Sequence, residues 1–188
     1  MIASRGRRGL LALCPHRYCR SGVTDVAIEE LREAGIEAVL LDLDNTLVGW
    51  RSHEVPEPVL DWVTALKSAG FKLCLVSNTR YGRRLRALSE ALGVPYVRRA
   101  WKPRRRGFQA ALSELGVNPA RAAMIGDQMF TDVLGGNRVG LYTVMVRPMA
   151  RREFVGTKVS RLFEGALLRW FLRTGRIGGE VGSATRNK

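Results

Sequence analysis

From residue 36 onward, short apolar runs alternate with longer segments whose apolar residues recur every three or four positions. The runs at 38–43, 72–76, 96–97, 122–125 and 142–146 read as strands, and the greasiest of them should be buried on both faces. Between them, 58–68, 82–92, 105–115 and 131–137 read as amphipathic helices. Gly70, Gly93 and Gly116 stand just after three of these helices, where a left-handed C-cap is expected. Strand and helix in alternation predict an α/β fold, a parallel sheet covered by helices on both faces. In such sheets ligands bind beyond the carboxyl ends of the strands, so the polar residues directly after each run become the candidates for chemistry.

The first run ends in Asp42-Leu43-Asp44-Asn45-Thr46. Side chains two apart on an extended segment point the same way, so Asp42 and Asp44 can address one reacting atom together. Like charges at that spacing repel unless a cation or a shared proton offsets them. An Asx turn is the bland alternative. A calcium loop would need glycine where Leu47 stands. Three further polar clusters follow later strands: Ser77-Asn78, Lys102-Pro103, and Gly126-Asp127 with Asp132 five residues on. Together they offer carboxylates, a hydroxyl, an amide and an ammonium, a set able to hold Mg²⁺ and a phosphoryl group at once. Taken singly each has a plainer reading. Ser77-Asn78 could cap a helix, Lys102 could belong to the solvated cationic run 98–106, and Asp132 could stabilise its own helix N-terminus.

In order, DLDNTL, SN, KP and GDQMFTD resemble the four motifs of the haloacid dehalogenase (HAD) superfamily of phosphohydrolases, over about residues 38–138. Within it, LDLDNTLVGW, VSNT, IGDQMFTDVLGGNRVG and the preceding LCPHRYCRSGVTD resemble the YqeG-like subgroup, itself similar to phosphatidylglycerophosphate phosphatases of the mitochondrial type. The resemblance implies a HAD-like Rossmannoid three-layer α/β/α sandwich and Mg²⁺-dependent hydrolysis of a phosphomonoester through an aspartyl-phosphate. It makes Asp42 the nucleophile and Asp44 the general acid and base, a second Asp that dehalogenases and transport ATPases lack. It assigns Mg²⁺ to Asp42, the backbone carbonyl of Asp44, and Asp127, with Asp132 supporting the ion or Lys102. Thr46, Ser77 and the Asn78 amide would hold phosphate oxygens, and Lys102 would offset charge on nucleophile and phosphoryl group.

Members acting on small metabolites usually carry a cap domain after the first or second motif. Here the interval from Thr46 to Ser77 has room for one flap, one helix and one strand, and that from Asn78 to Lys102 for one helix and one strand. The expected site is therefore capless and open, which suits a membrane-embedded lipid or a macromolecule. Trp50, in the flap, is a candidate interfacial side chain, with a core position as the alternative.

Charge sharpens the picture. The chain of 188 residues carries a formal net charge of +14. Residues 1–20 contribute +5 and residues 147–188 contribute +7, which leaves the middle nearly balanced. Basic ends argue for an anionic surface, phospholipid or nucleic acid, although 26 of the 31 basic residues are arginine, a ratio that compositional bias alone can produce. On a helical wheel Val159, Leu162, Phe163, Ala166, Leu167, Trp170 and Phe171 form one face, opposite Lys158, Arg161, Arg169 and Arg173, with Leu168 and Leu172 on the polar side. That pattern fits a helix lying in a membrane interface and equally one packed on its own domain. The expected organisation is a basic N-terminal extension (1–35), a HAD-like core (36–150) and a basic amphipathic C-terminal extension (151–188).

Three cysteines, Cys14, Cys19 and Cys74, are too few for a disulfide framework, and Cys14, His16 and Cys19 lack a fourth ligand for zinc. The apolar stretch 9–14 is short for a secretory leader and has no small-residue cleavage site, so a cytoplasmic protein, peripherally membrane-associated, is expected. The favoured activity is a phosphatidylglycerophosphate phosphatase of phospholipid biosynthesis. The competing readings are a phosphatase of nucleic-acid ends using Arg98, Arg99 and Arg104 to Arg106, and a basic binding or assembly protein with an unused HAD site.

Overall fold

Consecutive apolar residues put side chains on both faces of a strand, and the centre of the sheet is built from such runs. In the computed structural model, which describes residues 9–149 and 155–181 (side chains for 9–149 and 163–177), every residue of β2 (Ala38–Leu41) and of β5 (Ala122–Gly126) is buried. They lie side by side, flanked by β3 (Lys72–Ser77) and β6 (Tyr142–Val146). With β1 (Arg17–Cys19), β4 (Tyr96–Arg98) and β7 (Gly178–Val181) they form a seven-stranded sheet in the order β4-β3-β2-β5-β6-β1-β7. All its strand pairs are parallel.

Alternate residues feed two cores. Val39, Leu41, Leu73 and Leu75 point to one face, where they meet Leu31, Trp62, Leu66, Leu85 and Leu88 from α1 (Ile28–Glu33), α2 (Glu57–Ser68) and α3 (Gly82–Leu92). Ala38, Leu40, Cys74 and Val76 point to the other and meet Phe108, Ala111 and Leu112 of α4 (Arg105–Leu115) and Val139 of α5 (Leu134–Val139). The result is the expected three-layer α/β/α sandwich. The caps expected at Gly93 and Gly116 form with φ of 59° and 61°. The segment from Thr46 to Ser77 holds only a flap, α2 and β3.

The register sets the site. Leu41 pairs with Leu75 on one side and Ile125 on the other, so the residues after β2, β3 and β5 emerge at one edge of the sheet.

Two segments differ from their expected place outside the core. β1 and β7 are strands of the same sheet as the site, although they fall within 1–35 and 151–188. Neither has an apolar run to announce it, since Arg17-Tyr18-Cys19 and Gly178-Gly179-Glu180-Val181 are short and mixed. α6 (Val155–Arg173) packs through a third cluster in which Phe171 is fully buried against Cys14, Met129, Val133, Met145 and Ile177. Leu167, Leu168 and Leu172 pack beside it, while Phe163 is 64% exposed and Trp170 38%. The covered face of α6 is therefore rotated from the expected one, towards Leu168 and Leu172. Val159 and Leu162, with Lys158 and Arg161, lie outside the residues whose side chains are described. Cys14, Cys19 and Cys74 are buried and unbridged, and the Cys19 thiol donates to Gly22 O.

Candidate active site

The chain leaves β2 without leaving the sheet, because the Asp42 N–H still donates to Ile125 O at 2.9 Å. It then reverses at Asn45, whose left-handed backbone (φ 64°) suits asparagine. The Asn45 N–H donates to Val48 O, and a bridge between Asp44 and Val48 closes the flap. This reversal carries Thr46 back beneath Asp42. Its hydroxyl lies 3.2 Å from Asp42 Oδ2 and 3.3 Å from Asp127 Oδ1. Thr46, expected to hold a phosphate oxygen, is fully buried, with its hydroxyl between these two carboxylates.

Lys102 arrives from the loop after β4. Its Nζ stands 2.5 Å from Asp42 Oδ1 and 2.7 Å from Asp132 Oδ1. Asn78 fixes that loop with both ends of its amide, accepting from Lys102 N at 2.8 Å and donating to Lys102 O at 3.1 Å. Ser77 O accepts from Ala100 N, and the Ser77 hydroxyl accepts from Thr79 N. Asp132 stands on a π-helical turn, Met129–Val133, and its Oδ2 accepts from Gln128 N. The structure thus brings together the residues of the four motifs, Asp42, Asp44, Thr46, Ser77, Asn78, Lys102, Asp127 and Asp132. Asp42, Asp44, Ser77, Asn78 and Lys102 line a cavity of about 640 Å³, while Thr46, Asp127 and Asp132 lie buried.

Electrostatics follow from this burial. Desolvation lifts the Asp42 carboxyl to about 6, the nearby charges of Asp132 and Asp44 add to the lift, and Lys102 opposes it. For Lys102 burial acts downward, but the charges of Asp132 and Asp42 prevail and hold the ammonium above its ordinary range. The buried carboxylates of Asp42, Asp127 and Asp132 offer oxygens within 4.8 Å of one another. Several hard oxygen donors converging on one point fit Mg²⁺, which prefers such ligands and would offset the repulsion that adds to the lift of Asp42.

Gly126 is required by this packing. A Cβ there would meet Asp132 Oδ2 at 2.3 Å and its Cγ at 2.4 Å. Gly126→Ala is expected to push Asp132 away from Lys102, lowering stability by about 1–3 kcal/mol as an overpacked core substitution. Thermal melts together with phosphate release check this, and an unchanged melting temperature with full activity would contradict it.

Among the side chains at the site that were not singled out from the sequence, Arg84 and Glu164 are buried. Arg84, on α3, is 5% exposed, places Nη2 2.8 Å from Asp44 Oδ1, and donates from Nε to Ser52 O at 2.6 Å. It sits beside Leu85 on a helix rich in arginine, so nothing in the pattern separates it from Arg83 or Arg86. Glu164, on α6, is buried and accepts from Met129 N at 3.1 Å, at the start of the turn that carries Asp132. Its signal was present, because it is the one acidic residue between 154 and 179.

A family model for hydrolases of the haloacid dehalogenase-like type matches residues 5–140. The chain belongs to that family. This hydrolase is 36% identical over 149 residues to the "Probable phosphatase YqeG" of Bacillus subtilis, covering 79% of the chain and 86% of the relative. It is 31% identical over 157 residues to the chloroplastic/mitochondrial phosphatidylglycerophosphate phosphatase 1 of Arabidopsis thaliana, covering 78% of the chain but only 45% of that protein. Among solved structures, the cobalt-bound deoxy-D-mannose-octulosonate 8-phosphate phosphatase of Haemophilus influenzae aligns at a TM-score of 0.50 and 15% identity, over 72% of this chain and 89% of that one, a likeness of fold. With its family and its phosphatase relatives, the chain is a phosphoric monoester hydrolase.

Proposed function

We propose that this hydrolase removes the terminal phosphate of phosphatidylglycerophosphate at an anionic membrane surface, through an aspartyl-phosphate on Asp42. The observation that carries the mechanism is Asp42 at the cavity floor, held by Lys102 and Thr46, with a second carboxylate, Asp44, two residues on. Asp42 attacks phosphorus in line with the leaving oxygen. Lys102, Ser77 and the Asn78 backbone amide hold the phosphoryl oxygens. Asp44 gives its proton to the departing alcohol and then takes one from the water that hydrolyses the phosphoenzyme. Asp42, Asp127 and the Asp44 carbonyl, with Asp132 in support, would hold Mg²⁺, which when bound would supply charge neutralisation for the transferring group.

The lipid assignment draws on the relatives' names and on two surfaces. The cavity is capless, and Trp50 and Tyr81 stand exposed at its lining. On α6, the exposed Phe163 and Trp170 share the outer face with Arg169 and Arg173, and the Arg176 guanidinium lies 4.7 Å over the Trp170 ring. Aromatic and basic side chains mixed on one helix face suit the headgroup region. Among the described residues no helix is long and apolar enough to cross a membrane. Arg98, Arg99 and Arg104 to Arg106 are exposed but do not line the catalytic cavity, which weighs against nucleic-acid ends.

A substrate panel tests this. With Mg²⁺ present, phosphate release from phosphatidylglycerophosphate in anionic vesicles should exceed that from nucleotides and 5′-phosphorylated DNA, and chelation by EDTA should abolish it. Preference for DNA ends would replace the lipid reading. No turnover of any monoester would favour a binding protein with an unused site.

A further inference from the structure

The cavity's cations are unevenly placed. Lys102 is engaged by Asp42 and Asp132 at the phosphoryl end, whereas Arg51, Arg80 and Arg84 line the same cavity elsewhere. Arg84 is in contact with Asp44 itself, and the Arg51 N–H donates to the same Asp44 oxygen at 3.3 Å. Arg51 adopts a left-handed backbone (φ 59°), a conformation that non-glycine residues rarely adopt and that clusters at functional sites. In that conformation its guanidinium lies 4.5 Å from the Trp50 ring centre and 5.9 Å from that of Tyr81. A second hollow of about 530 Å³ adjoins, sharing Arg51, Tyr81 and Arg84 and adding Arg83 and His53.

On the phosphatase reading, on which this inference rests, Asp44 protonates the oxygen that leaves. Groups touching Asp44 therefore border the leaving alcohol and not the transferred phosphoryl group. Cations collected on that side stand apart from the phosphoryl end, where Lys102 meets Asp42 and Asp132. We propose that Arg84, with Arg51 and Arg80, forms a second anion subsite, which binds a phosphodiester carried by the leaving alcohol. Arg84 is pre-set for this, because its stem is buried and Ser52 O fixes its Nε. A guanidinium so held offers its remaining N–H groups to phosphate oxygens as a planar fork. The substrate class is then a short polyol with a phosphomonoester at one end and a phosphodiester at the other, as in the headgroup of the proposed lipid. Glycerol 3-phosphate has the first group and lacks the second.

The test separates binding from turnover. Asp42→Asn protein with Mg²⁺ is titrated calorimetrically with three probes: glycerophosphoglycerol phosphate (the deacylated headgroup), glycerol 3-phosphate, and a 5′-phosphorylated dinucleotide. The headgroup should bind at least about tenfold more tightly than glycerol 3-phosphate, the yield of one charge-assisted contact. Adding Arg51→Gln and Arg80→Gln, or Arg84→Lys, should reduce that ratio several-fold. Equal affinity for headgroup and glycerol 3-phosphate, or a ratio that ignores all three arginines, overturns the subsite. A dinucleotide that matches the headgroup with the same arginine dependence supports a diester subsite and moves its source from lipid to nucleic acid. Failure of the wild-type protein to release phosphate from any probe overturns the phosphatase reading instead, and the binding comparison still decides the subsite.

Discussion

Asp42→Asn is expected to lower phosphate release by about four orders of magnitude or more, the usual loss when a nucleophile is removed. The same variant should be more stable than the parent at neutral pH when Mg²⁺ is absent. Burial lifts Asp42 from 3.8 to about 6. Between those values the folded chain holds a proton that the unfolded chain has released, so stability falls as pH rises through the window. An amide escapes this penalty. Melting curves at pH 4.5 and 7.5 should therefore converge for Asp42→Asn and the parent at the lower pH and separate at the higher one, with Mg²⁺ narrowing the gap by stabilising the parent. A variant that melts below the parent at pH 7.5 would show that the Lys102 pair outweighs the cost of burying its charge. Normal turnover would end the aspartyl-phosphate mechanism.

Removal of everything after Arg152 should abolish both the fold and activity towards a soluble aryl phosphate. The truncation takes β7 from the sheet and Phe171 from its cluster, a side chain whose burial contributes about 1.5–3 kcal/mol. It also strips the Met129 N–H of Glu164, and an unsatisfied buried donor costs about 1–3 kcal/mol. Together these losses approach the roughly 5–15 kcal/mol that hold a domain. By contrast, Phe163→Ser with Trp170→Ser, on the outer face, should keep the circular dichroism spectrum and aryl phosphate hydrolysis while depressing hydrolysis in vesicles. A truncated chain that stays folded and active on the soluble substrate would make α6 an anchor only.

Strands β2 to β6 and the residues at their ends were legible because each carried its own local signal, which β1 and β7 lacked. A run of apolar residues names a buried strand, and a carboxylate, hydroxyl or lysine directly after it has no packing use. Asp42, Ser77, Lys102 and Asp127 were readable for that reason. What escaped depended on partners distant in the chain. The apolar residues of α6 form two overlapping stripes, and only the positions of Cys14, Met129 and Met145 decide that Phe171 and Leu168 turn inward while Phe163 and Trp170 turn out. Arg84 is buried because Asp44 and Ser52, from other segments, meet its guanidinium. Thr46 faces carboxylates because of the reversal at Asn45, a backbone event no periodicity records.

The place of β1 has a consequence for how the protein is made. Arg17 pairs with Val144 of β6 and with Gly178 of β7, so β1, made well before either neighbour, lies between them. The neighbours β2, β3, β4 and β5, with the whole Asp42, Ser77 and Lys102 edge, can associate while synthesis continues. β1 must wait for residues 142–146, and its outer side for residues 178–181. Such long-range pairing is slow and leaves a sheet edge uncovered in the meantime. The nascent chain thus passes through a stage with the catalytic edge assembled and the edge of β6 open, the point at which chaperone capture or self-association competes with completion of the sheet.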